Sequence, residues 1–385
     1  METILFFQRT DTYAARLRLE GLSAFARSVG WHVQVYAERF DRDALRDIFD
    51  FWQPVGTVLG VNDRQSEFDA ALFDPARTVL LDCFPPRRVA RAFSGVVTDS
   101  RAAAELATRE LVAKNCRTYG FVPWPVPYEW SEKRLRNFSD LLKRLHLPLR
   151  VFRPSREDLA AKELQRELIP WLRALPKPCG ILASNDRAAE NLLNACLLAR
   201  VAVPFECTVV GVDNETGICE RTNPTLSSVQ LDFRESGYRA GALLAELIAG
   251  RLAHRADVSV PPLGLVRRNS SRAFLKTDRF ALTASEIIRA KACEGLAARD
   301  VLAVFPCSRR LAEIRFRNAT GHSVLDEIRA VRIEEAKKLL RNPQCDLAAV
   351  ANLCGYASTP TFARAFKAAT GLTMSAYRRS ARQSS

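Results

Sequence analysis

At 385 residues, with 48% hydrophobic and 26% charged residues, the chain has the make-up of a folded soluble protein and is too long for one compact core. The net charge is +14, and it is unevenly spread: Ala281 to Ser385 holds 17 Lys and Arg against 9 Asp and Glu, a surplus of eight that leaves six for the first 280 residues. A basic C-terminal quarter fits a polyanion-binding module, and no apolar run approaches the length of a membrane span.

The N-terminus, Met1-Glu2-Thr3, lacks a basic region followed by an apolar stretch and a cleavage site. A cytoplasmic location is therefore expected. Short apolar runs then alternate with helical patterns. Strands are predicted at residues 4–8, 33–37, 57–60, 78–82, 95–98, 118–123, 151–153, 180–184, 208–212 and 227–230. Between them, helical periodicity is clear at residues 101–114, 132–145, 158–175 and 187–199. Such alternation implies parallel strands covered by helices on both faces, and the number of units implies two sheets.

Three local sequences in this region carry polar chemistry. Ser184-Asn185-Asp186 ends one strand and opens a helix, and Val212-Asp213-Asn214 ends another. Trp130 lies four residues before Arg134, at the head of an amphipathic helix. In open α/β sheets ligands bind beyond the carboxyl ends of strands. Carboxylate, amide and guanidinium groups beside an aromatic face suit a polyol. An Asp in such a place also serves as an ordinary helix cap, and Arg134 could pair with a nearby acid.

Residues 251–279 change character, with Pro261-Pro262, Asn269-Ser270-Ser271 and several basic residues, and read as an exit and a linker. From Ala281 onward the pattern is helical. It contains a repeat at a constant offset of fifty residues: Ser308, Phe316, Ala319, Thr320 and Gly321 recur as Ser358, Phe366, Ala369, Thr370 and Gly371. Each copy reads as a helix opened by a Ser cap and closed at Gly, preceded by a short helix at residues 297–304 or 347–354. Gly355 supplies the permissive turn residue in the second copy. Two helix-turn-helix motifs result. Residues 323–341 form one amphipathic helix, about 28 Å long at ~1.5 Å per residue, which can hold two recognition helices about one DNA turn apart.

These residues resemble the AraC/XylS transcription regulators over roughly residues 281–379. The resemblance lies in Cys307-Ser308-Arg309-Arg310, residues 332–340, residues 351–356, residues 362–366 and residues 371–378. The chain departs from the pattern at Phe305-Pro306, where a Gly is usual, at Met374 in place of Pro, and at Ala312 in place of Leu, for which Leu311 is expected to compensate. Phe316, Phe362 and Phe366 are expected to anchor the core. Arg309, Arg310 and Glu313, with Ser358, Thr359 and Thr361, are the base-reading candidates, and Arg315, Arg317, Arg364 and Lys367 the phosphate candidates.

Residues 4–265 resemble the LacI-type sensors, related to sugar-binding proteins. The matching features are Val97-Thr98-Asp99, Trp130 with Arg134 and Phe138, Val203-Pro204 before Asp213-Asn214, and residues 226–229 leading to a helix with Gly237. The resemblance implies a two-lobed, periplasmic-binding-protein-like α/β sensor with parallel sheets, ahead of an all-α double helix-turn-helix domain. It implies ligand contacts from Asp213, Arg134, Asp186 and Asn214, with Trp130, Trp124 or Tyr13 stacking on a sugar, a pentose such as xylose. The expected boundaries are 1–268 for the sensor (lobes 1–114 with 226–250, and 115–225 with 251–268), 269–280 for the linker and 281–385 for the DNA-binding domain. The expected partners are double-stranded operator DNA, a sugar effector, RNA polymerase if the protein activates, and a second copy of the chain; no cofactor, metal or membrane is expected.

Other readings compete. No phosphate-binding Gly motif opens the first β-α unit, and the four histidines cluster with neither cysteines nor carboxylates, which argues against an enzyme. The ten cysteines show no C-x-x-C spacing and read as buried reduced thiols. A transport component would leave the basic repeat unexplained. A sensor that has lost its ligand and serves only dimerisation or protein contact stays open.

Overall fold

The short apolar runs of the first 270 residues form two six-stranded sheets in the computed structural model, which describes residues 2–37, 42–60, 72–82, 91–252, 255–272, 279–305, 307–341 and 345–383. The chain divides into two compact units, Met1–Ser271 and Arg272–Ser385.

In the first unit, β1 (Thr3–Phe7), α1 (Tyr13–Val29), β2 (His32–Tyr36), α2 (Arg42–Trp52), β3 (Gly56–Leu59), β4 (Thr78–Leu81) and β5 (Ser94–Thr98) build one lobe. The other lobe follows with α3 (Ser100–Val112), β6 (Thr118–Val122), α4 (Glu129–Arg144), β7 (Leu149–Val151), α5 (Ala161–Ala174), β8 (Cys179–Ala183), α6 (Asp186–Ala199), β9 (Cys207–Val212), the single turn α7 (Thr216–Cys219) and β10 (Ser227–Gln230). The chain returns to the first lobe for α8 (Phe233–Ile248) and β11 (Asp257–Val260), then to the second for β12 (Gly264–Val266). Strand orders are β11-β5-β4-β3-β1-β2 and β12-β10-β9-β8-β6-β7. Every pairing is parallel except β10 with β12. Central strands such as β8 and β9 are buried on both faces, so their sequences run apolar without alternating.

All ten predicted strands are present, each shifted by at most two residues at either end. The lobe boundaries lie elsewhere than the sequence suggested. Helix α3 packs Ala103, Ala107 and Leu111 into the core of the second lobe with Phe121 and Phe138, so the first crossover falls near residue 99 and not 114. Strand β10 lies in the second sheet and β11 in the first, the reverse of the expected grouping. The segment read as linker begins with Asn269, Ser270 and Ser271, all buried. Ser270 donates to the Val209 carbonyl at 2.7 Å and Ser271 to Glu110 at 2.9 Å, which ties them into the sensor. Serine hydroxyls seeking buried carbonyls look in sequence like a flexible tether. Of the rest of that linker, residues 273–278 lie outside the described residues, and Arg279 and Phe280 already belong to the helix Arg279–Lys291.

Helices α1 and α8 cross at two glycines. A Cβ on Gly21 would meet the Arg234 carbonyl oxygen at 1.9 Å, and one on Gly237 would meet that of Arg18 at 1.9 Å. This close approach fixes α1, whose N-terminus is capped by Thr12 accepting from the Ala15 amide at 3.2 Å.

The second unit is helical: α9 (Arg279–Lys291), α10 (Ala298–Leu302), α11 (Arg309–Thr320), α12 (Val324–Arg341), α13 (Leu347–Leu353), α14 (Thr359–Thr370) and α15 (Met374–Gln383). It contains two apolar cores that share α12. Val324 and Ile328 join Phe305, Ala312 and Phe316 in the first; Ile333, Ala336 and Leu340 join Phe362, Phe366 and Met374 in the second. A helix that gives one end to each core acts as a strut between them. Ala312 is fully buried, but Leu311 is 47% exposed and does not compensate for the small side chain. Gly321 and Gly371 end α11 and α14 at φ 85° and 74°. Ser308 caps α11 through the Leu311 amide, whereas the Ser358 hydroxyl turns to the Thr361 hydroxyl at 2.9 Å and makes no bond to the helix backbone.

Candidate functional site

The carboxyl ends of the sensor strands collect the polar groups singled out from sequence. Asp213 follows β9 with φ 112° and Asn214 has φ 54°, a costly backbone for non-glycine residues. The turn is held by Asp186 at the start of α6. Its carboxylate accepts from the Ser228 hydroxyl at 2.6 Å, the Glu215 amide at 2.7 Å and the Cys219 thiol at 3.4 Å. Burial, followed by the nearby Asp213 charge, raises the Asp186 pKa to about 8. The helix cap at this position is Asn185, which accepts from the Ala188 amide at 2.9 Å, so Asp186 is free to brace the Asp213 turn. The Asn214 carboxamide points inward too, accepting from Arg268 at 2.9 Å, and Arg268 also donates to Glu220 at 2.7 Å.

Asp213 itself stays partly exposed, and burial raises its pKa to about 6 against the pull of Arg134 and Arg18. Arg134, from α4, is almost fully buried. It reaches Asp213 at 3.4 Å, donates to the Ser184 carbonyl, and lies 5.0 Å from the centre of the Trp130 ring. Trp130 stacks with Tyr128 at 5.9 Å, whereas Trp124 is packed against the core of its lobe. Tyr13, at the start of α1 in the other lobe, packs edge-on to Phe233; burial and then the charges of Asp186 and Asp213 raise its pKa. Of the residues singled out from sequence, Tyr13, Trp130, Arg134, Asp186 and Asp213 lie near one another, whereas Asn214 and Trp124 pack into the protein.

Three residues were missed. Arg18, on α1, pairs with Asp82 and lies 4.9 Å from the centre of the Phe233 ring. Asp82 follows β4 and accepts from the Thr98 amide at 2.7 Å. Lys133, on α4, has its pKa lowered by burial while Glu129 and Asp82 oppose. Asp82 carries the same strand-end signal as Asp213 and could have been found by it. Arg18 and Lys133 look in sequence like ordinary helix surface.

Polar atoms at these strand ends are left without partners. Gln8 Oε1, Arg18 Nε, Arg134 Nε and Ser184 Oγ are buried and make no hydrogen bond among the described residues. Native interiors rarely leave such atoms unpaired.

In the second unit, the exposed face of α11 carries Arg309, Arg310 and Arg317, and that of α14 carries Thr361, Arg364 and Lys367 beside Ser358; Thr359 is half-buried. Two predicted contacts are engaged elsewhere. Arg315 lies 4.9 Å over the Phe280 ring and 5.6 Å over Phe305. Glu313 accepts from the Val324 amide at 3.4 Å, fixing the start of α12.

A model for a helix-turn-helix domain matches residues 302–380, and one for a periplasmic binding protein-like domain matches residues 108–271. The chain is 32% identical over 289 residues to the xylose operon regulatory protein of Haemophilus influenzae, covering 74% of this chain and 75% of that protein. It belongs to the xylose operon regulator family. The Escherichia coli family member is 27% identical over 385 residues, covering 97% of this chain and 96% of its own. The solved structure of the xylose-binding transcription activator xylR is similar at a TM-score of 0.65, with 25% identity and coverage of 98% and 97%. A dimeric Lac repressor shares the sensor fold at a TM-score of 0.58 and 18% identity, over 70% of this chain and 98% of its own. This family member is a sugar-responsive, DNA-binding transcription regulator with an N-terminal sensor. No helix among the described residues is long and apolar enough to cross a membrane.

Proposed function

We propose that this regulator binds a pentose, xylose by analogy with its relatives, between the sensor lobes, and that binding changes its grip on operator DNA. The observation that carries the reading is the set of unpaired buried atoms on Gln8, Arg18, Arg134 and Ser184 beside the Asp213 carboxylate. A sugar hydroxyl both donates and accepts, so a ring of hydroxyls can accept from the guanidinium groups of Arg18 and Arg134 and donate to Asp213. Trp130 and Tyr13 would cover its apolar faces. Asp186 and Asn214 support the turn from behind. Ligand favours whichever lobe arrangement it binds more tightly, and only by that difference in affinity.

On DNA, Arg309, Arg310 and Arg317 from one motif and Ser358, Thr359, Thr361, Arg364 and Lys367 from the other would enter successive major grooves on one face. Pairing of two copies through the sensor would bring four motifs to a repeated operator, and activation of a carbohydrate-use operon would add contact with RNA polymerase. The relatives are transcription regulators, and no chemical step is assigned to the cleft. Titration calorimetry of the full chain against pentoses and hexoses tests the sensor. Heat with xylose that vanishes in Asp213→Ala supports it; silence across the panel would leave the sensor with dimerisation or protein contact alone.

A further inference from the structure

The two recognition helices are built alike but face outward with different chemistry. On α11 the buried positions are Ala312, Phe316 and Ala319. At ~100° per residue, Ile314 stands about 200° from Ala312, opposite the core, with Arg310 and Arg317 on one side and Leu311 on the other. Ile314 and Leu311 are each 47% exposed. A large aliphatic at the point farthest from the core, flanked by exposed arginines, keeps about half of its surface in water. Fifty residues on, the same positions hold Arg364 and Thr361. Phe366 matches Phe316 in the core, and buried Phe362 stands where the first helix has buried Ala312, so the helices turn corresponding positions outward.

We propose that Ile314, assisted by Leu311, reads thymine methyl groups in the major groove, while Arg364 at the matching position of the second helix reads guanine. This rests on the DNA-binding reading above and gives each helix its specificity. The major groove displays the thymine C5-methyl as its apolar feature and guanine O6 and N7 as a paired acceptor. Arginines beside the aliphatic stripe supply the phosphate attraction that brings an apolar surface against a polyanion. One protomer then requires an asymmetric site, thymine under the first helix and guanine about one turn away.

The test uses the full chain and a duplex it selects from a random pool, with each thymine replaced singly by deoxyuridine, which removes only the methyl. One or two positions in the first half of the site should weaken binding about fourfold each, the worth of one buried methyl group. Ile314→Ala should bind more weakly and lose that uridine penalty, with an unchanged circular dichroism spectrum. Arg364→Ala should keep the penalty and relax a guanine about ten base pairs away. A uridine series without effect, or an equal penalty in Ile314→Ala, overturns the assignment while leaving DNA binding intact; failure of the full chain to select any duplex would instead remove the DNA-binding reading.

Discussion

The guanidinium of Arg332 lies 5.3 Å from the centre of the Tyr356 ring and donates to the carbonyls of Ala292 at 2.8 Å and Leu296 at 3.1 Å. Arg332 sits midway along α12, so its side chain joins the backbone leading into the first helix-turn-helix motif to the turn of the second. Gly355 completes the junction: its φ of 73° excludes most residues, and a Cβ there would meet the Cys293 carbonyl at 2.8 Å. The spacing of the two recognition helices is therefore set by packing at this point as well as by the length of α12.

Replacing Arg332 by Ala removes two hydrogen bonds from a cation and its stacking on a ring. Stability of the second unit should fall by about 2–3 kcal/mol, read from urea denaturation followed by circular dichroism. Arg332→Lys should recover little, because an ammonium cannot reproduce the planar fork. A loss below about 0.5 kcal/mol would show that the junction is held by other contacts.

Gly237→Ala places a methyl against the Arg18 carbonyl where α1 and α8 cross. Forcing the helices apart should cost about 1–3 kcal/mol in sensor stability. Because α1 carries Tyr13 and Arg18, xylose affinity should drop as well. Ala mutation of an exposed residue on the same helix, Arg239, should change neither; equal behaviour of the two variants would mean that the crossing tolerates the added volume.

How far the sequence could be read depended on what each residue's role required. Strand-sized apolar runs and the fifty-residue repeat are local signals, and they gave both sheets and both helix-turn-helix motifs. The crossovers were not local. Helix α3 reads the same whichever lobe it covers, and only its packing against Phe121 and Phe138 shows which core it serves; likewise, only the pairing with β9 shows which sheet owns β10. Asp213 stood out by its place at a strand end and Arg134 by its spacing from Trp130 on an amphipathic helix, and the structure brings the two together. Arg18 and Asp82 pair within the first lobe across 64 residues of chain, and Lys133 feels Asp82 from the other lobe; no spacing in the chain records either. Arg315 looked like a phosphate contact because the aromatic rings that hold it, Phe280 and Phe305, are distant in sequence.

Asp186 gives the sensor a pH-dependent stability. Its folded pKa of about 8 lies above the ordinary value for an unfolded aspartate, near 3.9. The folded state therefore binds the extra proton between those values, and stability is greatest at low pH and falls as pH rises toward 8. Asp186→Asn cannot ionise, and its amide cannot accept from both the Ser228 and Glu215 donors. It should be less stable than the natural protein at pH 5, with the gap narrowing toward pH 8. Parallel denaturation curves at both pH values would contradict the buried neutral carboxyl.

Asp213, with its pKa near 6, should make sugar binding sensitive to pH in the opposite sense. The ionised carboxylate accepts hydroxyl hydrogens, so affinity should hold above pH 7 and weaken as pH falls through about 6. Calorimetry at pH 5.5 in two buffers of different ionisation enthalpy should then detect proton release on binding. Uptake of protons, or affinity that rises on acidification, would place the ligand away from this carboxylate.

The most direct measurement is operator affinity of the full chain with and without xylose, for the natural sequence and for Asp213→Ala. The account expects xylose to change the affinity of the natural protein, and the variant to bind DNA as the sugar-free protein does at every xylose concentration. An undiminished xylose response in Asp213→Ala would contradict it, because the signal would then arise outside the proposed site around Asp213, Arg134 and Arg18.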